Sequence, residues 1–172
     1  AFILFPTSTL ASTLVSFSTI TTNTTWTPDQ GPYVVSGYAY VLPGVTLTIL
    51  PGTVVKFENG SRIEVGGTLV AEGTTLNPIT FTSVKDDTVG GDTNGDGTAT
   101  IPARGDWVQI YANVGATVTF AQSIIRYGGS VGTSETGMIG NYGGILNISD
   151  SDFSESNSAH TFIQSGTTTI TT

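Results

Sequence analysis

The chain has 172 residues, 38% hydrophobic and only 10% charged, with 22 Gly, no Cys and a formal net charge of −8. That length can bury one sizeable core, the hydrophobic fraction excludes a disordered chain, and the lack of Cys excludes disulfides and thiolate metal sites. The five Lys and Arg are scattered singly, so nothing can displace counterions from nucleic acid or hold an anionic membrane surface.

Residues 1–22 open with AFILFPTSTLAS, an apolar run passing into small residues. Thr9-Leu10-Ala11 has the small-x-small form of a signal-peptidase site, although no basic n-region precedes it. Two readings fit: the tail of a secretory signal, or a first β-strand that is apolar because it covers a core. The run is too short to span a bilayer, and no later segment is long enough.

Residues 23–172 read as one all-β domain. From Tyr38 onward, short alternating strands are separated by Gly, Pro and Asn turns. Ala39 and Val41 match Ile63 and Val65; Leu47 and Ile49 match Leu69 and Ala71; Val55 and Phe57 match Ile79 and Phe81. Three kinds of strand therefore recur together with a period of about 22 to 24 residues, the length of one coil of a parallel β-helix. A β-sandwich would also give short alternating strands, but would not require the three kinds to recur together. Alternation puts Leu47, Leu69 and Val118 inside and Thr46, Thr68 and Thr117 outside.

An insertion interrupts the repeat at 84–106, too polar to belong to a core, so it is predicted to leave the solenoid as a loop. The pattern resumes with Val108 and Ile110, Val118 and Phe120, and Ile125 and Tyr127 as a third coil. A Gly- and Ser-rich loop spans Gly128 to Gly137. GILNI and GTTTI then open matching strands of two further coils.

GVTLTILPGTVVKF, GTLVAEGTTLNPITFTS, the Asp-rich loop ending in GDW, and IRYGG together resemble the right-handed β-helix repeats of large secreted and cell-surface proteins of prokaryotes. The resemblance covers about residues 23–130 and implies an extracellular solenoid, often one module of a larger, adhesin-like protein. It does not imply an enzyme.

The strongest chemical signal lies in Asp92-Thr93-Asn94-Gly95-Asp96-Gly97. Oxygen ligands at positions 1, 3 and 5 followed by Gly form the first half of an EF-hand-type calcium loop, and Thr98 would add its carbonyl at position 7. Position 12 is Ala103 rather than Glu, so Asp86, Asp87 or Asp106 must supply the missing carboxylate. The expected ligand set is Asp92, Asn94, Asp96, Thr98, Asp87 and Asp106, holding a structural Ca2+. A solvated Asp/Gly turn is the plain alternative, set against the mutual repulsion of five carboxylates in one loop.

Other groups are weaker. Polysaccharide lyases share this fold and pair calcium-bound acids with a basic residue, which directs attention to Arg104 and Arg126. Asp150 and Asp152 would share one strand face as a glycosidase pair. His160 suits a turn or the surface. Trp26, Tyr33, Tyr38 and Tyr40 suggest either a sugar platform or a cover for the first coil. Thr46/Thr48, Thr117/Thr119 and Thr167/Thr169 hint at a water-ordering array that the intervening coils break. Asn23, Asn59 and Asn147 head glycosylation sequons.

The expectation is a right-handed parallel β-helix of about five coils with an N-terminal cap. Its function is a non-catalytic, secreted or cell-surface module, adhesive or structural, calcium-stabilised and self-associating head to tail or part of a longer parent chain. Its partners are a polysaccharide or another surface component. The alternative is a polysaccharide-active enzyme, lyase before hydrolase.

Overall fold

The computed structural model describes residues 12–130 and 137–172. Thr9-Leu10-Ala11, the AFILF segment and residues 131–136 of the second loop lie outside the described residues. In chain order the strands are β1 (Thr13–Ile20), β2 (Thr24–Trp26), β3 (Tyr33–Val41), β4 (Thr46–Ile49), β5 (Val54–Phe57), β6 (Arg62–Val65) and β7 (Thr68–Glu72). There follow β8 (Ile79–Ser83), β9 (Gln109–Ala112), β10 (Thr117–Ala121), β11 (Ser123–Arg126), β12 (Gly137–Ser149), β13 (Asp152–Ser154) and β14 (Ala159–Thr171). A single 3-10 turn, Pro28–Gln30, separates β2 from β3.

Every pairing is parallel, and the strands stack into the three sheets of a β-solenoid. The first sheet runs through the leading parts of β1 and β3, then β5, β8, β11 and β13. The second takes the remainders of β1 and β3, then β6, β9 and the leading parts of β12 and β14. The third takes β2, β4, β7, β10 and the ends of β12 and β14. This makes about six turns rather than about five, because Thr13–Trp26 forms a coil of its own below the expected first one.

The bore is built from in-register columns. In the third sheet Leu47, Leu69, Val118 and Leu146 stand on successive rungs, as do Ile49, Ala71, Phe120 and Ile148, and all are at most 3% exposed. The small Ala71 sits beside the large Phe120, whose ring meets Phe81 edge-on across the bore at 5.5 Å. Burying each Leu, Ile or Phe contributes roughly 1.5–3 kcal/mol, which is why periodicity alone is enough to aim these strands.

Corners follow turn chemistry. Pro43-Gly44 and Pro51-Gly52 place Pro before Gly, with the glycines at φ 79 and 81. Val45 N donates to Leu42 O at 3.0 Å and Thr53 N to Leu50 O at 3.2 Å. Pro pre-sets the first central residue of such a turn, and only Gly takes the positive φ of the second without strain. In the fifth coil Asn141, buried within the bore, shapes the corner with its side chain. Its Oδ1 accepts from Gly143 N and Gly144 N at 3.2 and 2.9 Å, and its Nδ2 donates to Thr167 O and Thr168 Oγ1, both at 3.0 Å.

Three sequence alignments change, one of them at Ile125 and Tyr127: the inward pair of β11 is Ser123 and Ile125, and Tyr127 lies beyond the strand at φ 66. Val55 pairs with Phe81 and Phe57 with Ser83, so this strand lies two residues from the expected register. In the third expected coil the inward pair is Ile110 and Ala112, with Val108 only half-buried before the strand. Ser83 is too small to cover Phe57, and Trp107 fills the gap from the end of the long loop. Its indole stacks on Phe57 at 4.4 Å and donates to Arg126 O at 2.9 Å. A Cβ on Gly128 would fall 2.6 Å from that indole, so the GDW and IRYGG motifs are two sides of one contact.

Candidate metal centre in the long loop

The long loop leaves β8, folds back over the outer face of the first sheet, and returns through Trp107 to β9. Lys56 and Thr82 are adjacent rungs of that outer face, and Arg126 ends the neighbouring β11. The loop covers Lys56 and Thr82 completely. An outward Lys would ordinarily be solvated; here its Nζ donates to the Gly91 carbonyl. Burial pushes the Lys56 ammonium below its usual pKa, against the opposing pull of Asp87, Asp86 and Asp92.

Two of the loop's five Asp residues are consumed by internal cations. Asp86, with a fully buried side chain, meets the Arg126 guanidinium at 2.6 Å. It also accepts from the Thr82 and Thr88 hydroxyls at 2.5 and 2.6 Å. Burial alone would raise this carboxyl, but the hydroxyls and Arg126 outweigh it and hold it below the ordinary range. Asp106 pairs with Lys85 at 2.8 Å and accepts from Ser83 Oγ at 2.7 Å and Ala103 N at 2.9 Å. It pins the loop's return and is not among the acids that converge.

The other three do converge. Asp87, Asp92 and Asp96 each bring a carboxylate oxygen within 4.8 Å of the others. Two oxygens on opposite sides of a calcium ion stand about 4.8 Å apart, so the spacing fits a hard divalent cation. Asp87 Oδ1 and Asp96 Oδ1 are shielded from solvent with no hydrogen-bond partner among the described residues. Leaving such oxygens unpaired is costly, and a cation between them removes the cost.

The local sequence builds this turn through Asp92. Its Oδ1 accepts from Gly95 N and Asp96 N at 2.8 and 3.2 Å, and its Oδ2 from Gly97 N at 2.8 Å. Gly95 and Gly97 have φ 72 and 69, so the spacing of Asp and Gly organises the turn before any ion is considered. Asn94 turns its amide nitrogen toward Asp96 Oδ2 at 2.9 Å and Thr100 Oγ1 at 3.2 Å. It joins a cation's ligand shell only by turning that amide over. Thr98 is exposed in the following turn.

The remaining candidates scatter. Arg104 pairs with Glu155 at 2.9 Å on the surface, and Arg126 is held by Asp86. Asp150 sits in a corner at φ 44 while Asp152 opens β13, so they do not lie together on one strand as expected. His160 is exposed and stacks loosely on Phe153, with ring centroids 6.1 Å apart. Trp26 and Tyr33 are buried and stacked at 4.6 Å, whereas Tyr38 and Tyr40 face outward. Asn23 Oδ1 accepts from Thr46 N at 2.9 Å, and Asn59 is exposed at a corner. Among the described residues no helix is long and apolar enough to cross a membrane.

Compared with known proteins, the chain matches no family model, no curated protein and no solved structure.

Proposed function

We propose that this chain is a non-catalytic, extracellular β-solenoid module, adhesive or structural, whose long loop is stapled to the first sheet by calcium. The observation that carries the reading is the convergence of Asp87, Asp92 and Asp96 with two shielded, unpartnered oxygens. Such a site, with Lys56 nearby, suits the weak calcium affinities of extracellular modules, about 10⁻⁴–10⁻³ M. A secreted or cell-surface location is proposed with it, on the resemblance of the repeats to prokaryotic surface solenoids. Head-to-tail association of copies, or a further coil of a longer parent chain, belongs to the same proposal, and either would cover Ile163 and Ile170 on β14, which are 51% and 57% exposed.

The lyase alternative gains little support from the arginines, because Arg126 and Arg104 are each held in an ion pair. The two described cavities, about 470 and 170 Å3, are lined by Ser, Thr, Gly, Pro and apolar groups without a titratable side chain. A catalytic groove needs convergent polar residues of matched pKa. Incubation with acidic and neutral polysaccharides is therefore expected to yield neither unsaturated products nor new reducing ends. Either product overturns the non-catalytic reading.

Calcium is tested by melting. At a calcium concentration 100 times Kd the folded state gains about 2.7 kcal/mol, so EDTA lowers the melting temperature and exposes 86–106 to protease. Asp92→Ala with Asp96→Ala abolishes both responses. Identical curves in EDTA and in calcium refute the staple.

A further inference from the structure

The outer faces of the three sheets differ in chemistry. The third presents Thr46, Thr48, Thr68, Thr117 and Thr119, and the first is covered by the long loop. The second is aromatic: of the chain's six Tyr, Tyr38, Tyr40, Tyr111 and Tyr142 lie on it, with Phe162 beside them. Register puts Tyr40, Glu64, Tyr111, Gly140 and Phe162 on successive rungs of one outward column. Rings thus recur on every second coil, about 10 Å apart. That is close to the length of one disaccharide in an extended β-linked glycan.

These rings are partly exposed and lie against the surface. A Cβ on Gly66 would fall 2.7 Å from the Tyr40 hydroxyl, and one on Gly140 would fall 2.7 Å from Tyr142 Cε2. Glycines under both rings let them lean onto backbone. Tyr142 links Tyr111 to Phe162, meeting Tyr111 edge-on at 5.4 Å and 81° and Phe162 at a tilt at 5.8 Å and 43°. Flat apolar ring faces flanked by polar groups are what the C–H faces and hydroxyls of a sugar require.

The polar groups are present and carry no net charge. Arg62 and Glu64 pair at 2.6 Å on adjacent outward positions. Burial, reinforced by the Glu64 carboxylate, pushes the Tyr111 hydroxyl above its ordinary pKa, so it is a neutral donor at every working pH. Gln109, only 3% exposed, directs its amide to this face. Its Oε1 accepts from Tyr142 Oη at 3.0 Å, while its Nε2 has no partner among the described residues. Nε2 lies 2.7 Å from where a Gly140 Cβ would be, beneath the one rung of the column that lacks a side chain.

We propose that the outer face of the second sheet binds an extended, neutral, β-linked polysaccharide lying along the solenoid axis, stacked on Tyr40, Tyr111 and Phe162. The occupant is neutral because the face pairs its own charges and the chain's net charge of −8 repels polyanions. The assignment deepens the adhesive reading above and does not depend on the calcium staple.

Affinity electrophoresis in gels containing hydroxyethylcellulose, xyloglucan or polygalacturonate tests it. Retardation is expected in the neutral gels, with each of Tyr40→Ala and Tyr111→Ala weakening it about tenfold. Thr119→Ala, on the third sheet, serves as the control, and circular dichroism verifies that every variant is folded. A variant that fails to fold is replaced by Tyr111→Leu or Tyr40→Leu, which keep the bulk and remove the ring. No retardation in either neutral gel, retardation only by polygalacturonate, or retardation indifferent to both tyrosines overturns the strip. Binding accompanied by new reducing ends upholds the strip and overturns the non-catalytic reading instead.

Discussion

Leu69→Asp is expected to leave no folded protein, whereas Thr68→Asp, one residue earlier, is expected to behave as the parent. Leu69 is fully buried between Leu47 and Val118 on adjacent rungs. The substitution forfeits about 2–3 kcal/mol of apolar burial and puts a carboxylate in a bore with no basic side chain to meet it. The penalty for a buried unpaired charge is several kcal/mol more, which together approach the whole stability of an ordinary domain, about 5–15 kcal/mol. Thr68 points outward on the same strand, where substitutions cost within about 0.5 kcal/mol. Far-ultraviolet circular dichroism and urea denaturation separate the outcomes. A folded Leu69→Asp protein would mean that the bore is wrongly drawn.

Arg126→Met should cost about 3–5 kcal/mol, because it leaves the fully buried Asp86 carboxylate with hydroxyl partners and no cation in direct contact. The pH dependence gives the mechanism away. In the parent, Asp86 is held below its model value of 3.8. Its contribution is therefore present above that value and lost as pH falls through the lower folded pKa. In the variant the charge and hydrogen bond of Arg126 are lost, so the carboxyl's pKa lies above the parent's. Less of the carboxylate's stabilisation then remains at neutral pH, whereas parent and variant with the acid protonated differ little. The difference between parent and variant should be widest at neutral pH and shrink toward pH 3. Asp86→Asn added to Arg126→Met removes the stranded charge and should recover much of the loss. Urea melts at several pH values measure this. A gap of constant size across that range would mean that Arg126 stabilises by packing alone.

The Arg126 result bears on how the loop is attached. Composition identified 84–106 as polar and outside the core, but an Asp-rich segment reads as solvated until something is known to lie beneath it. What lies beneath is Lys56, from a strand about 30 residues earlier, and Arg126, from one after it. Neither contact leaves a local trace. Asp106 illustrates the consequence: chain proximity made it a sixth ligand, and Lys85 and Ser83 took it instead. Asp92 and Asp96 were legible because one turn joins them, and the side chain of Asp92 bonds the amides of that turn.

By itself the sequence determined the strands, their inward faces and most of their corners. Alternation, β-branched residues and Pro-Gly turns are local, and each acts on a few neighbouring residues. It also determined that three strand types repeat, and hence that the sheets are parallel. What only the tertiary structure decided was the coil-to-coil register. A two-residue slip preserves which side chains point inward, so Val55 fits beside Ile79 or Phe81 equally well by pattern. The choice falls to the corners and to Trp107, which fills the bore over Phe57 where Ser83 leaves it open. The first coil was hidden for a related reason. Val15, Ile20 and Trp26 are spaced by Ser and Thr in a segment of little contrast, and only their burial beneath β3 and β4 makes them core. Position along a solenoid is set by contact with the neighbouring coil, and that information resides in the stack.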